Sequence, residues 1–425
     1  MEFVGVQPTV WARARPAMSR WEHNRVHNFQ ADVDVCVVGA GPVGGTLACR
    51  LAAGGVSVAV VDRAALPPME HPDFDGRAYA VAAGSRRLLE AAGVWARLPF
   101  PVGPIMDIRV SDGRVGRRAS RLHLHFDAKK AGAEAFGWMV EARSLRVALN
   151  RTMHEAGLVL HAPAEATVTR SGAGAVVQVA GGPAIRARLV VGAEGRGSPL
   201  RDQAGIRVTR LPYGQRGIVS AVAHERPHNG VALEHFLPGG PFAQLPMAPI
   251  EGEPNLSAIV WTERTAQADR VIGLDDAAFG REVQRRLGDH LGVVRPIGRR
   301  WIYDLSALHA ERYVDTRLAL VGDAAHGIHP IAGQGLNLGF RDVIALSDLV
   351  IAAIAAGADP GAAGVLARYQ RARRPDNLLM LGATDVLDRL FSTDNPLLRA
   401  VRDLGMAGVD RLPGLKRAFM RQAMG

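Results

Sequence analysis

Three glycines and one acid near the start of the chain have the spacing of a dinucleotide site. Gly39, Gly41 and Gly44 follow a β-branched run in a GxGxxG pattern, and Asp62 ends the next such run after a predicted helix over 45–53. Such glycines allow a tight turn, close approach of a pyrophosphate and close packing of helix on strand. Asp62 could accept hydrogen bonds from a ribose and would repel a 2′-phosphate. The pattern favours FAD or NAD over NADP, although a lone glycine-rich turn would be weak evidence.

Two later segments also combine glycine with polar groups. A predicted strand ends in Gly322-Asp323, and a glycine-rich turn then precedes a helix rich in alanine and leucine. The first N–H groups and the positive dipole end of that helix could face a ligand. Gly322-Asp323 alone could be an ordinary turn at a strand end, so the joint order of the three segments carries the prediction.

Other local patterns predict structure and not chemistry. Gly172 and Gly174 lie between two β-like runs with no helix after them, which predicts a hairpin turn and no second nucleotide site. His326 and His329 stand three residues apart, but no third ligand at a suitable spacing accompanies them, so we expect no metal site. In the middle of the chain, Ser198 is predicted as the N-cap of a short helix.

Taken in order, these segments resemble the class A flavoprotein monooxygenases, the group that includes p-hydroxybenzoate hydroxylase. The stretch 329–339, followed by Arg341-Asp342, is similar to the signature of the ubiquinone-biosynthesis hydroxylases. The segments 75–77 and 140–143 also look like that family. The resemblance covers roughly residues 33 to 380.

The resemblance implies an α/β fold in which a Rossmann-type FAD-binding domain is interleaved with an antiparallel-sheet substrate domain, followed by a C-terminal helical region. It implies FAD as cofactor, NAD(P)H as electron donor and O2 as co-substrate. The implied reaction is hydroxylation of an aromatic ring, with a polyprenylated phenol of ubiquinone biosynthesis as the expected substrate. Three alternatives stay open: another flavin-dependent phenol hydroxylase, a flavin dehydrogenase, and a non-catalytic FAD-bearing subunit of a biosynthetic complex.

The resemblance also assigns cofactor contacts. Asp323 would hold ribityl or ribose hydroxyls, and the residues from Gly333 to Asn337 would lie against the isoalloxazine. Arg77 and Arg143 would contact the cofactor side of the site, although either could be a surface ion-pair partner. No residue stands out as a catalytic base, so the catalytic residues stay unknown. The predicted cofactor-binding residues are Gly39, Gly41, Gly44, Asp62, Arg63, Arg77, Arg143, Gly322, Asp323, Pro330, Gly333, Gln334, Gly335, Leu336 and Asn337.

The elements that must position these residues fall into alternating segments. Strand-like alternation with turns between predicts one antiparallel substrate sheet that covers the flavin. Its pocket would be lined by Phe242, Leu245, Pro246 and Met247, although an apolar lining is equally typical of core. The predicted boundaries are a flexible leader over 1–31, an FAD-binding domain over 32–103, 137–207 and 302–377, a substrate domain over 104–136 and 208–301, and C-terminal helices over 378–425.

Composition limits the partners. The chain carries 51 basic and 41 acidic residues, a net charge of +10, but no pattern of a nucleic-acid-binding domain. Two cysteines cannot build a disulfide framework, which favours a reducing compartment. The basic, partly apolar stretch 397–425 could touch anionic lipid, or it could pack on the FAD domain or a partner subunit. We expect a cytoplasmic protein, with peripheral contact to the inner membrane, a biosynthetic complex and a homo-oligomer all left open.

Overall fold

The structure, a computed structural model, describes residues 30–66, 73–116, 123–329 and 333–391. Predictions for Pro330, for the leader up to residue 29 and for residues 392–425 fall outside this part of the chain. The helices are α1 (Pro42–Ala53), α2 (Ala83–Ala91), α3 (Ala142–Glu155), α4 (Pro199–Gln203), α5 (Thr265–Ile272), α6 (Asp276–Leu287), α7 (Gln334–Ala355) and α8 (Ala363–Phe391). The strands are β1 (Val33–Val38), β2 (Val58–Val61), β3 (Ala78–Ala82), β4 (Gly103–Ile105), β5 (Asp107–Asp112), β6 (His123–Asp127), β7 (Gly137–Glu141), β8 (Val159–His161), β9 (Ala166–Arg170), β10 (Ala175–Val179), β11 (Ala184–Gly192), β12 (Val208–His224), β13 (Val231–Leu237), β14 (Gly240–Met247), β15 (Leu256–Arg264), β16 (Val294–Ala310), β17 (Val314–Asp315), β18 (Leu318–Leu320) and β19 (His326–Gly327).

The first sheet is the predicted Rossmann frame. Its strand order is β17-β18-β11-β1-β2-β8, and β1 pairs in parallel with both β11 and β2. The strands are rich in valine and buried, as a parallel sheet covered on both faces requires. The antiparallel pair β9 and β10 extends this sheet, which confirms the predicted hairpin turn at Gly172 and Gly174.

Helix α1 is longer than the sequence predicts. It begins at Pro42, three residues before the expected start at Gly45, because Gly41 is its N-cap and Pro42 occupies the first helical position. Proline is tolerated there, since its missing N–H would have no partner within the helix.

The second sheet belongs to the substrate domain, in the order β19-β16-β12-β15-β14-β13-β5-β6. Its pairings are antiparallel, as predicted, except that β5 runs parallel to β13. Parallel neighbours cannot be joined by a tight hairpin, and β5 reaches the sheet from the first substrate segment, far earlier in the chain. Strand β16 runs without a break across the predicted domain boundary at residue 302.

The two faces of this sheet pack against different parts of the protein. On one side, here termed the helix-covered face, Trp261 packs in a core with Phe279 and Val283 of α6. On the other, termed the FAD-domain face, Met247 packs in a core with Met139 of β7. A small third sheet, β3-β7-β4, lies at this second contact.

The last two helices close the molecule. Helix α7 packs on α1, and α8 packs on α7. Helix α8 continues through Pro375 and across the predicted boundary between residues 377 and 378. In the described part of the chain, no helix combines the length and the apolarity needed to cross a membrane.

Candidate active site

The turn between β1 and α1 has one open side. Gly39 has a φ of +106°, and a Cβ at this position would collide with the backbone of Ala193 at the end of β11. A Cβ on Gly44 would collide with the carbonyl oxygen of Gly39, so helix and strand can approach closely only with glycine there. A Cβ on Gly41, in contrast, would have no atom within 4 Å. Gly41 therefore faces open space at the helix N-terminus, where a pyrophosphate could approach the backbone.

The carboxylate of Asp62 is held at the end of β2. One oxygen accepts a hydrogen bond from the Ala40 N–H at 2.5 Å, and the other accepts one from the Ala64 N–H at 2.8 Å. An ionised carboxylate has about four lone-pair sites, so these two bonds leave capacity for ribose hydroxyls. Asp62 thus stiffens the glycine turn and remains suited to a sugar.

Asp323 follows a turn that only a small residue can form. Gly322 has a φ of +58° and packs against Val43 of α1. The Asp323 side chain is accessible to solvent although protein surrounds it, as in the floor of a deep cleft. Burial raises the pKa of Asp323, against the opposing charges of Arg196 and His326. No group in the described residues donates a hydrogen bond to this carboxylate, which leaves it available to ligand hydroxyls.

A fully buried carboxylate, Asp342 of α7, supports this turn from behind. It accepts hydrogen bonds from the Gly322 N–H at 2.9 Å, from Nε2 of His326 at 2.5 Å, and from Nε of Arg373 at 2.8 Å. Nδ2 of Asn377 donates a further bond at 3.2 Å. Asp342 follows the stretch that resembles the family signature, but its sequence position predicted no role for it.

The start of α7 is tied to β3. Gly333 is the N-cap with a φ of +62°, followed by Gln334, Gly335 and Leu336, all half-buried. The side chain of Asn337 accepts hydrogen bonds from the Ala82 N–H and the Ser85 hydroxyl and donates to the Ala80 carbonyl at 2.9 Å. Asn337 therefore fixes the direction of the helix start, with its side chain occupied by protein groups.

The predicted arginines lie in different settings. Arg77 forms an ion pair with Asp75 at 2.6 Å and stacks over Trp301, 4.1 Å from the ring centroid. Arg143 pairs with Glu141 at 2.6 Å and stacks over Phe100 at 4.1 Å. Both are therefore structural partners as well as candidates for cofactor contact. Arg63 is exposed beside the glycine turn.

The four predicted pocket residues do not share one face of the sheet. Leu245 and Met247 lie on the FAD-domain face, in one core cluster with Met139. Phe242 lies on the helix-covered face, where it is fully buried and meets Trp261 edge-on. Pro246 shares that side, because side chains alternate along β14. The four residues therefore cannot line one pocket together. The prediction placed neighbouring residues of one strand on the same face, whereas Phe242 and Pro246 face away from Leu245 and Met247.

A second polar cluster connects the domains. Nε2 of His329 lies 3.3 Å from Oε1 of Gln215 on β12 and 3.5 Å from Oδ1 of Asp388 on α8, and its ring packs edge-on against Tyr213. This cluster fixes His329, the last described residue before the gap that precedes α7. The described residues contain no group of three side chains able to hold a metal, and His329 and His326 are engaged in these separate networks.

The cofactor segments converge. Val43 of α1 lies against Gly322 and against Gly339, which belongs to α7. Nη1 of Arg201, in the short helix α4, donates a hydrogen bond to the carbonyl oxygen of Ala324 at 3.3 Å. The open side of Gly41, the unpartnered Asp323 and the spare capacity of Asp62 fit a bound FAD. Backbone groups would hold its phosphates, and the acids its hydroxyls.

Known proteins resemble this chain over most of its length. The family model described as FAD binding domain matches residues 32–378. The chain is 50% identical to the protein named ubiquinone hydroxylase UbiL of Rhodospirillum rubrum, over 92% of this chain and 89% of that one. It is 34% identical to 3-demethoxyubiquinol 3-hydroxylase of Escherichia coli, over 92% of this chain and 98% of that one.

Solved structures share the fold. The p-nitrophenol 4-monooxygenase PnpA of Pseudomonas putida matches with a TM-score of 0.73 at 18% identity, over 93% of this chain and 99% of that one. PqsL, a probable FAD-dependent monooxygenase of Pseudomonas aeruginosa, matches with a TM-score of 0.71 at 24% identity, over 89% and 99%. The predicted α/β architecture of interleaved domains is confirmed.

Fold and site together define an FAD-dependent aromatic-ring monooxygenase. Within that class, the chain belongs to the FAD-binding-domain family, in the group of the ubiquinone-biosynthesis hydroxylases. FAD is its cofactor, and an NAD(P)H donor is typical of the family.

Proposed function

We propose that this protein hydroxylates the aromatic ring of a polyprenylated ubiquinone precursor, using FAD, NAD(P)H and O2. The observation that carries the proposal is the convergence of the three cofactor segments opposite an apolar sheet face. The 50% identity with a protein named as a ubiquinone hydroxylase supports the choice of substrate class.

The side chains have few chemical tasks in this proposal. When bound, FAD supplies the redox chemistry and the activation of O2 that amino-acid side chains lack. Gly41, Asp62 and Asp323 hold the cofactor. The FAD-domain face beside the half-buried Leu245 accepts the ring and excludes water from it, whereas Met247 of the same face is in the core with Met139.

Turnover tests the proposal against its alternatives. Purified, FAD-loaded protein is given NADH or NADPH, air and 2-geranylphenol, and pyridine-nucleotide oxidation, O2 consumption and product are followed. We expect substrate-stimulated oxidation with one hydroxylated product per nucleotide oxidised. A dehydrogenase would oxidise substrate without inserting oxygen, and a non-catalytic FAD-bearing subunit would be yellow without turnover; either result contradicts the proposal. Complementation of strains that each lack one ring hydroxylase identifies the ring carbon.

We further propose that the protein works in the cytoplasm at the surface of the inner membrane, which it contacts through α8. Leu379 and Val386 are 73% and 62% exposed, and they lie seven residues, about two helical turns, apart. Leu378 and Leu387 beside them are also exposed. An apolar stripe of this kind, followed in sequence by the basic stretch 397–425, suits an anionic lipid surface. A second copy of the chain or a biosynthetic complex could cover the same stripe, and these are the rival occupants.

A further inference from the structure

Glu234 of β13 is a buried carboxyl group without a partner. Its residue is 8% exposed, and no group in the described residues donates a hydrogen bond or a positive charge to it. An unpaired buried carboxyl group is unfavourable for folding, and such groups concentrate at functional sites. Other buried carboxyl groups have interaction partners: Glu141 pairs with Arg143, Glu263 with Arg286, Asp342 with Arg373 and Asp388 with His329, and Asp112 of β5 also has an interaction.

The strand register shows which way Glu234 faces. It lies opposite Ala243 of β14 and opposite Val110 of β5. Because side chains alternate along a strand, Glu234 shares a face with Ala232, which belongs to the same core cluster as Leu245 and Met139. Glu234 therefore lies on the FAD-domain face, and its neighbour His235 lies on the helix-covered face.

Two packing contacts flank Glu234 along the FAD-domain face. Toward the Met247 end, β14 is covered by β4 and β7 of the third sheet. Toward the other end, Leu390 of α8 packs in a cluster with Phe236 and Val110. Glu234 lies between these two contacts, and the residue opposite it, Ala243, has only a methyl side chain.

We propose that Glu234 is the catalytic acid–base residue of the hydroxylation, whose carboxylate accepts a hydrogen bond from a ring hydroxyl of the substrate and removes its proton. This assignment rests on the proposed function, because it needs a phenolic ring at the FAD-domain face. No other carboxyl group described on that face of β13, β14 or β5 lacks a partner.

The proton transfer balances. The phenol O–H bond breaks, and an O–H bond forms at a carboxylate oxygen of Glu234. The electron pair stays on the phenol oxygen, so the ring carbons ortho and para to it become more reactive toward an electrophilic oxygen donor. When the ring regains aromaticity, Glu234 returns its proton to the same oxygen. The hydrogen displaced from the oxygenated carbon leaves as a proton that neutralises the oxygen remaining on the donor.

The acidity of Glu234 suits this task. Burial raises the pKa of Glu234 to about 7, and no charged neighbour contributes to this shift. A general base works best when its pKa lies near the working pH, because it is then both ionised and basic enough.

The test compares Glu234→Gln with the wild-type holoenzyme. Glutamine keeps the size of the side chain and removes the base. We expect unchanged FAD content and a fall in kcat with 2-geranylphenol of ~100-fold or more. The limb of the pH–rate profile near pH 7 should disappear in the variant. His235→Asn, which changes the opposite face of the same strand, is the control and should keep full activity.

Binding gives a second readout that does not depend on turnover. Flavin absorbance is titrated with 2-geranylphenol and with its methyl ether, which has no hydroxyl proton to donate. We expect the wild type to prefer the phenol by at least tenfold and Glu234→Gln to show a clearly smaller preference, because a neutral amide oxygen accepts the phenol hydrogen bond more weakly than a carboxylate. A variant that hydroxylates within threefold of the wild type, with the same pH profile, overturns the assignment and leaves the proposed function standing. A wild type that shows the Glu234-dependent preference but never hydroxylates overturns the proposed function and leaves Glu234 as the ring-hydroxyl contact.

Discussion

Asp342 shows how one buried residue can hold a turn of the candidate cofactor site from behind. Burial alone raises the pKa of Asp342, but the charges and hydrogen bonds of His326 and Arg373 outweigh that effect, so the net shift is downward. The ionised carboxylate then holds the Gly322 turn, the histidine and α8 in one network.

We predict that Asp342→Ala destabilises the protein by ~3 kcal/mol, because the buried Arg373 and His326 would lose the carboxylate they share and Arg373 would keep only its ion pair with Asp376. The control is Asp348→Asn on the same helix, whose exposed pair with Arg50 at 3.5 Å contributes less than ~1 kcal/mol. Urea unfolding of the three proteins measures the difference. Because the folded-state pKa is lowered, the contribution of Asp342 is present above its unfolded value near ~4 and is lost below it. Equal stability of Asp342→Ala and wild type at pH 7 would contradict the prediction.

The pKa of Glu234 shifts on folding in the opposite direction to that of Asp342, so its effect on stability has the opposite dependence on pH. Its pKa is raised to about 7, so between ~pH 4 and that value the folded protein holds a proton that the unfolded chain releases. Stability should therefore fall as the pH rises through this window, by ~3 kcal/mol in total. We predict that Glu234→Gln is more stable than the wild type at pH 8, although it is less active. Denaturant unfolding at pH 5 and pH 8 checks this, and an identical pH dependence in both proteins would disprove it.

At the scale of elements, two glycines in the turn between β1 and α1 have different tasks. One is needed for folding and the other for ligand binding. Gly39 adopts a φ of +106° and touches Ala193, whereas Gly41 has a φ of −64° that any residue adopts and an open side. The first glycine is required by the backbone, and the second by what approaches it.

We predict that Gly41→Ala folds normally and weakens FAD binding at least tenfold, ~1.4 kcal/mol, because its methyl group occupies the pyrophosphate approach. Gly39→Ala should instead destabilise the apo-protein by at least ~2 kcal/mol through backbone strain and the collision with Ala193. Thermal unfolding without FAD, together with FAD titration, distinguishes the two. Unchanged FAD affinity in Gly41→Ala would show that the phosphates bind elsewhere.

Elements with local signals could be predicted from sequence. The predicted N-cap Ser198 of α4 is confirmed, since its hydroxyl accepts a hydrogen bond from the Arg201 N–H at 3.2 Å. The start of strand β12 at Val208 has no such local signal. Residues 208–216 have no alternating pattern, and their pairing with β16 organises them as a strand.

At the scale of the whole molecule, the candidate site depends on contacts that local patterns do not contain. His329 meets Asp388 only because α8 returns to the sheet. The face on which Phe242 or Glu234 lies depends on register, and a shift of one residue would exchange the faces. The glycine motifs and acids could be predicted because their spacing along the chain is itself the signal, even where the contact, as between Asp62 and Ala40, joins two turns.

The exposed apolar stripe on α8 leads to a prediction about membrane binding by the whole protein. We expect wild-type protein to float with vesicles containing phosphatidylglycerol, and the double change Leu379→Glu with Val386→Glu to lower binding at least tenfold. Glutamate removes apolar burial and adds repulsion from anionic lipid. The control is Val293→Glu, since Val293 is 65% exposed on the substrate domain. Unchanged flotation, with conversion of a dimer to a monomer, would assign the stripe to a second copy of the chain.

The parallel pairing of β5 with β13 has a consequence for biosynthesis of the chain. Asp107 lies beside Val231, and the last strand to join the sheet is β19, which ends at Gly327. A ribosome must therefore release more than two thirds of the polypeptide before this sheet is complete. Until β13 has been made, one edge of β5 has no neighbour, and such long-range pairing is slow. We expect the nascent chain to need chaperones, and a cofactor site assembled from both ends of the polypeptide to form only after translation is nearly complete.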